Sequence, residues 1–184
     1  MATIVDAGTT AGPRYTKVAI WLHWAIGLAV ITNIALAMLT EGLPRDIHHA
    51  AMDVHKALGM TILALTLLRL LWRLGHRAPP LPAGTPAWEK WTSRVVHLLF
   101  YALLILLPLS GWVWMSAREK PIDFFGLFTI PSIVAPDKAL ADVMHERHEV
   151  MGLTMLALVV IHLLAVAKHQ FIDRNRQLSR MNPF

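Results

Sequence analysis

The sequence predicts an all-α protein, an integral membrane four-helix bundle. Three observations predict it. Hydrophobic residues make up 55% of the 184-residue chain and charged residues only 16%, a balance foreign to a soluble domain of this size. Four apolar runs are each long enough to cross a bilayer, which takes roughly 20 helical residues. Histidines sit inside those runs, where an ionisable side chain is costly and marks function.

The four runs, taken in order, cover about 18–39, 52–74, 95–115 and 150–167. The last is expected to begin earlier, as an exposed helix near Asp137 just past Pro136, giving a helix of about 143–168. The whole chain, 1–184, reads as one domain without an internal repeat. Met1 to Lys17 is polar and lacks the apolar centre of a cleaved signal peptide, so the first helix is expected to stay and insert itself. Ala78 to Pro86 carries Pro79, Pro80, Pro82 and Pro86 and must be a loop. The longest connection, Ala117 to Pro136, mixes charge with Phe124, Phe125 and Phe128, an interfacial pattern. Trp21, Trp24, Trp72, Trp88, Trp91, Trp112 and Trp114 fall near run ends, as an aromatic belt would.

A net charge of +5 raises nucleic acid as a partner. The bases cluster at the ends of apolar runs instead, which suits membrane anchoring and leaves no nucleic-acid role. With the N-terminus inside, six of the 17 basic residues (Arg45, Lys56, Arg118, Lys120, Lys138 and Arg147) fall outside and the other 11 inside. That excess predicts both termini in the cytoplasm.

The chain has no cysteine. This removes disulfides, iron–sulfur clusters, thiolate-ligated haem and the C-x-x-C-H attachment of c-type haem. Any haem must be held without a thioether link. His23, His55, His148 and His162 lie in the spans and sort by depth into two levels. His23 and His162 stand near the inner ends of the first and fourth helices. His55 and His148 stand near the outer ends of the second and fourth. His148 and His162 are 14 residues apart; four turns take about 14.4 residues, so both point nearly the same way, about 21 Å apart along the axis. One helix thus offers ligands to two stacked cofactors, with His23 completing the inner site and His55 the outer. Bis-histidine ligation closes both axial positions of iron and favours electron transfer over oxygen binding.

Gly27, Gly59 and Gly152 each follow one of these histidines by four residues, on the same face, and leave room for a flat macrocycle. Glycine also serves membrane-helix packing alone. His97 lies at the inner level and could replace a ligand or bond a propionate from beside the site. Arg69 shares the face of His55, 14 residues on, and either pairs with propionates or snorkels to the interface. His145 is turned roughly 100° off the shared face of the last helix. The bland alternative makes all of these interhelical hydrogen-bond partners. A rival of another class is a metal-ion transporter, though the helices carry few carboxylates for a hard-cation path.

Trp21-Leu22-His23-Trp24, Val54-His55-Lys56-Ala57-Leu58-Gly59, Leu68-Arg69-Leu70-Leu71-Trp72-Arg73-Leu74, His148-Glu149, and His162 with Lys168-His169 downstream together resemble the bacterial cytochrome b561 family, including its superoxide oxidase branch. The resemblance covers nearly the whole chain, in order. It implies a multi-pass cytochrome of the bacterial inner membrane with two haem b groups. The inner would be held by His23 and His162 and the outer by His55 and His148. It further implies an oxidoreductase that carries electrons from periplasmic superoxide to ubiquinone, with His169 near the quinone. This chain departs from the branch in having Lys168-His169 where paired histidines are expected. Arg45, His48, His49, Lys56, Arg118 and Lys120 are candidates for a basic funnel toward superoxide, although nine acids on the outer segments outnumber the six bases. The alternative reading is a haem b electron-relay and anchor subunit for a hydrogenase or dehydrogenase, with a soluble partner subunit.

Overall fold

The computed structural model describes residues 14–80, 84–172 and 178–182. Pro82, Arg174 and Arg176, and most of Met1 to Lys17, lie outside the described residues. Four long helices dominate: α1 (Lys17–Leu39), α2 (Arg45–Gly75), α3 (Ala87–Ala117) and α4 (Lys138–Ala167). Each is long and apolar enough to cross a membrane. The all-α membrane bundle expected from composition is the fold observed.

The helices outrun the apolar windows. α2 begins at Arg45 and α3 at Ala87, each directly after a proline, Pro44 and Pro86. Proline cannot continue a helix backwards but suits its first turn. Asp46 and Glu89 then place a negative charge in each first turn, where the helix dipole favours it. α1 and α4 are capped by side chains instead: Thr16 Oγ1 accepts from the Ala19 amide and Asp137 Oδ1 from the Leu140 amide at 3.0 Å, each satisfying an otherwise unpaired donor. A hydrophobicity window stops where the bilayer stops, whereas helical hydrogen bonding carries on into water.

Backbone packing runs α1 on α2, α2 on α3 and α3 on α4. The shared core is Ile26, Val30, Ile62, Leu103, Leu104 and Met155, at mid-height in the bundle. Much of the remaining apolar surface, such as Leu28, Leu71, Leu98 and Leu164, is exposed, as lipid-facing positions must be.

Two short strands, β1 (Ile122–Phe124) and β2 (Phe128–Ile130), form an antiparallel hairpin between α3 and α4. Its turn places Phe125 at φ 52° and Gly126 at φ 74°, and Asp123 accepts the Gly126 amide at 2.7 Å. β1 rests on α2 with Ile122 buried. The exit of the hairpin is tied to α3: Trp112 Nε1 donates to the Pro131 carbonyl and the Ile133 amide to Ser116 Oγ.

The opposite side of the bundle gathers the first and last described residues. After α4 comes a π-helical turn, Lys168–Ile172, and later a short 3-10 turn, Leu178–Met181. Trp24 Nε1 donates to the Met181 carbonyl, Arg14 to the Asn182 carbonyl and Arg180 to the Pro80 carbonyl. This is called the terminal side below, and the hairpin side the far side.

Candidate cofactor-binding sites

α4 lies along α3, while α1 and α2 stand off from it. Across that gap α4 turns two imidazoles toward partners. His162 faces His23 of α1, with ring centres 6.3 Å apart and planes crossing at 73°. His148 faces His55 of α2, with centres 6.1 Å apart and the same 73° crossing. The first pair is on the terminal side and the second on the far side. A first-row metal bonds imidazole nitrogen at about 2 Å, so two imidazoles gripping one ion from opposite sides keep ring centres roughly 6 Å apart. Both pairs have that spacing.

The far-side pair is oriented from behind. His55 Nδ1–H donates to the Asn33 carbonyl at 3.0 Å. His148 Nδ1–H donates to the Leu107 carbonyl at 3.1 Å and lies 3.0 Å from Ser110 Oγ. Ser110 itself donates to the Leu107 carbonyl at 2.7 Å. A carbonyl only accepts, so Nδ1 carries the proton in both rings and Nε2 keeps its lone pair for a metal. Gly111 adjoins the same ring. A Cβ there would stand 3.1 Å from His148 Cε1, so the imidazole is seated against bare α3 backbone.

The glycines beside the paired histidines face open space. A Cβ built on Gly27 or Gly152 would meet nothing within 4 Å, and one on Gly59 only Asn33 Nδ2 at 3.8 Å. These are the three glycines one turn from a paired histidine. Two buried polar atoms, Asn33 Oδ1 and Thr66 Oγ1, have no hydrogen-bond partner among the described residues. Asn33 lies beside Gly59, with its backbone carbonyl on the His55 ring, and Thr66 is fully buried on α2.

Arg69 is buried, at 9% exposure, and does not reach the interface. Its Nη1 donates to the Ala19 carbonyl at 2.6 Å and its Nε to Tyr101 Oη at 3.1 Å. No carboxylate among the described residues pairs with it. A buried cation without a counter-charge is costly, and an anionic group entering the terminal-side site would offset that cost. Spacing, ring orientation, open space and charge together fit a haem at each level.

The other candidates fall at the margins. His97 is exposed and bonds through Nδ1 to the Ser93 carbonyl of its own helix. Phe100, not His97, is the α3 ring against His162, at 5.5 Å. Lys168 and His169 lie on the terminal side, in the π-helical turn that ends α4. Lys56, one of the six far-side bases, is paired with Asp53 at 2.6 Å, and His48 is bonded to Thr40. Sequence reasoning missed Asn33, Leu107, Ser110, Gly111 and Tyr101. All act across helices, and no spacing within the chain announces them.

Imidazoles facing in pairs at two depths of an apolar bundle are the arrangement expected of one class of protein, the haem-carrying electron carriers of membranes. The family model for prokaryotic cytochrome b561 matches residues 14–183. The chain belongs to that family, and is a multi-pass membrane protein that binds b-type haem and transfers electrons. It is similar to cytochrome b561 homolog 2 of Escherichia coli K12, 32% identical over 94% of this chain and 93% of that protein. It is also similar to "Probable superoxide oxidase CybB" of Yersinia pestis, 26% identical over 92% and 96%. Cytochrome b562 of Cereibacter sphaeroides is 23% identical over 94% and 97%.

Proposed function

We propose that the chain is a superoxide oxidase carrying two haem b groups: it takes electrons from superoxide in the periplasm and passes them to ubiquinone on the cytoplasmic side. The observation that carries the haem part of this reading is the recurrence of one imidazole spacing, 6.3 and 6.1 Å, at two depths. His23 and His162 are the proposed ligands of the inner iron, His55 and His148 of the outer. The haems supply, when bound, a reversible one-electron couple at each level.

The chain's own residues do the rest. Two histidines holding each iron would leave no open metal site for dioxygen. The Asn33 and Leu107 carbonyls hold two of the rings in orientation. Arg69, already buried and short of a counter-charge, is placed to receive a propionate. Lys168 and His169, past the inner level, offer donors to quinone carbonyls and a proton source. The excess of basic residues on the terminal side supports both termini in the cytoplasm of a bacterium, with the span in its inner membrane. The relative named for superoxide supports the choice of donor.

Purified protein in detergent with ubiquinone, supplied with superoxide from an enzymatic source, is predicted to reduce the quinone. The reduction should disappear when superoxide dismutase is added. Quinone that stays oxidised in protein with its full haem content sinks the donor reading.

The hairpin favours a second reading. Its tip exposes Phe125, Leu127 and Phe128, with Leu127 at 76%, and such a surface would suit a soluble subunit that feeds electrons to this chain as its anchor. Co-purification of a haem-reducing partner from native membranes would support that version over the first.

A further inference from the structure

The aromatic-belt reading explains an indole near the end of α3. It does not explain what Trp114 touches. Its ring stacks on His145, centres 4.2 Å apart and planes within 25°. Its other neighbour is the His148 ring, 6.1 Å away at 45°. His148 in turn faces His55. His145, with nearly half of its side chain exposed, is held on the surface by Glu149 at 3.5 Å. Four rings drawn from three helices therefore form one file, from the far surface to the centre of the far-side pair.

We propose that Trp114 and His145 are the port through which electrons enter from the far surface. The inference rests on the reading of His148 as an iron ligand. Electron tunnelling falls off exponentially with gaps through space. Rings in file shorten such gaps: Trp114 stacks directly on His145, and its ring centre is 6.1 Å from that of His148. An aliphatic side chain at position 114 would keep the site apolar but break the file. One electron moves and no atom does. The donor, superoxide in the reading above, would lose one electron and leave as dioxygen, and the acceptor would be the haem iron that the far-side pair would hold. Charges of both signs surround His145: Lys138 is paired with Asp142 at 2.7 Å, Arg118 lies within electrostatic reach of Asp142, and Glu149 is beside the ring. The port is therefore a route set by contact, not by a field.

The absence of cysteine permits a test that needs no natural donor. Asp142→Cys, one turn from His145 on α4, carries a ruthenium photo-donor. Asp46→Cys, in the first turn of α2, carries the same label as reference. A flash then injects an electron, and haem reduction is timed in the full-length holoprotein. In Trp114→Leu and His145→Ala the injection from position 142 is expected to slow several-fold. Trp114→Phe should restore most of the rate, and injection from position 46 should not change. Haem content, optical spectrum and midpoint potential should match the parent in each variant, which separates a broken route from a disturbed ligand. Unchanged injection from position 142 in either slow variant would overturn the port, as would equal slowing from both labels. If Trp114→Leu fails to retain haem, His145→Ala decides alone. The ligand reading fails separately, if His148→Ala keeps its haem.

Discussion

At the scale of single residues, the far-side pair is held more firmly than the terminal-side pair, and the difference can be tested. His148 is wedged between the Leu107 carbonyl, Ser110 and the bare backbone at Gly111. Gly111→Ala should push the ring by a few tenths of an ångström while leaving haem bound, and Gly111→Val should expel the far-side haem. Electron paramagnetic resonance reads both outcomes. Imidazole planes crossed at 73° predict a strongly anisotropic low-spin signal, and the alanine variant should alter one of two such signals. Arg69 gives a second prediction. A buried cation favours the reduced iron, so Arg69→Met should lower the midpoint potential of one haem and spare the other, as measured by redox titration. What the sequence revealed here depended on locality. Depth and helical period are properties of one helix, so the four histidines and the inward face of Arg69 could be read from spacing. Asn33, Ser110 and Gly111 serve histidines on other helices, and only the packing reveals them. The burial of Arg69 is of the same kind, because its contacts with Ala19 and Tyr101 decide between inward pairing and snorkelling.

At the scale of elements, the apolar runs located all four helices but not their ends. The extra turns of α2 and α3 are polar and follow from the prolines that open them, Pro44 and Pro86. The hairpin was not legible at all. Two strands of three residues are too short for any period to emerge, and its shape depends on left-handed backbone at Phe125 and Gly126. The glycines one turn from the histidines were legible as a pattern, and the open space in front of Gly27 and Gly152 gives that pattern a use. Filling it should be selective. Gly152→Leu is predicted to lose the far-side haem alone, and Gly27→Leu the terminal-side haem alone, seen as a halved haem-to-protein ratio with the helical circular dichroism retained. Loss of both haems together would mean that the glycines serve packing instead.

At the scale of the whole molecule, the bundle is closed along α1–α2–α3–α4 and open between α4 and the first two helices. The gap follows from the side chains that line it: α4 presents His148, Gly152, Met155 and His162 toward it, and Met155, midway between the two histidines, joins the apolar core. Two polar levels are thus separated by an apolar layer, a frame in which electrons can cross the membrane without any part moving. The direct test of that frame is haem quantification and the dithionite-reduced spectrum of the purified protein, repeated on His23→Ala, His55→Ala, His148→Ala and His162→Ala. The prediction is two haem b per chain in the parent and one in each variant, with His23→Ala matching His162→Ala and His55→Ala matching His148→Ala. A colourless parent, or any variant that keeps both haems, would contradict it.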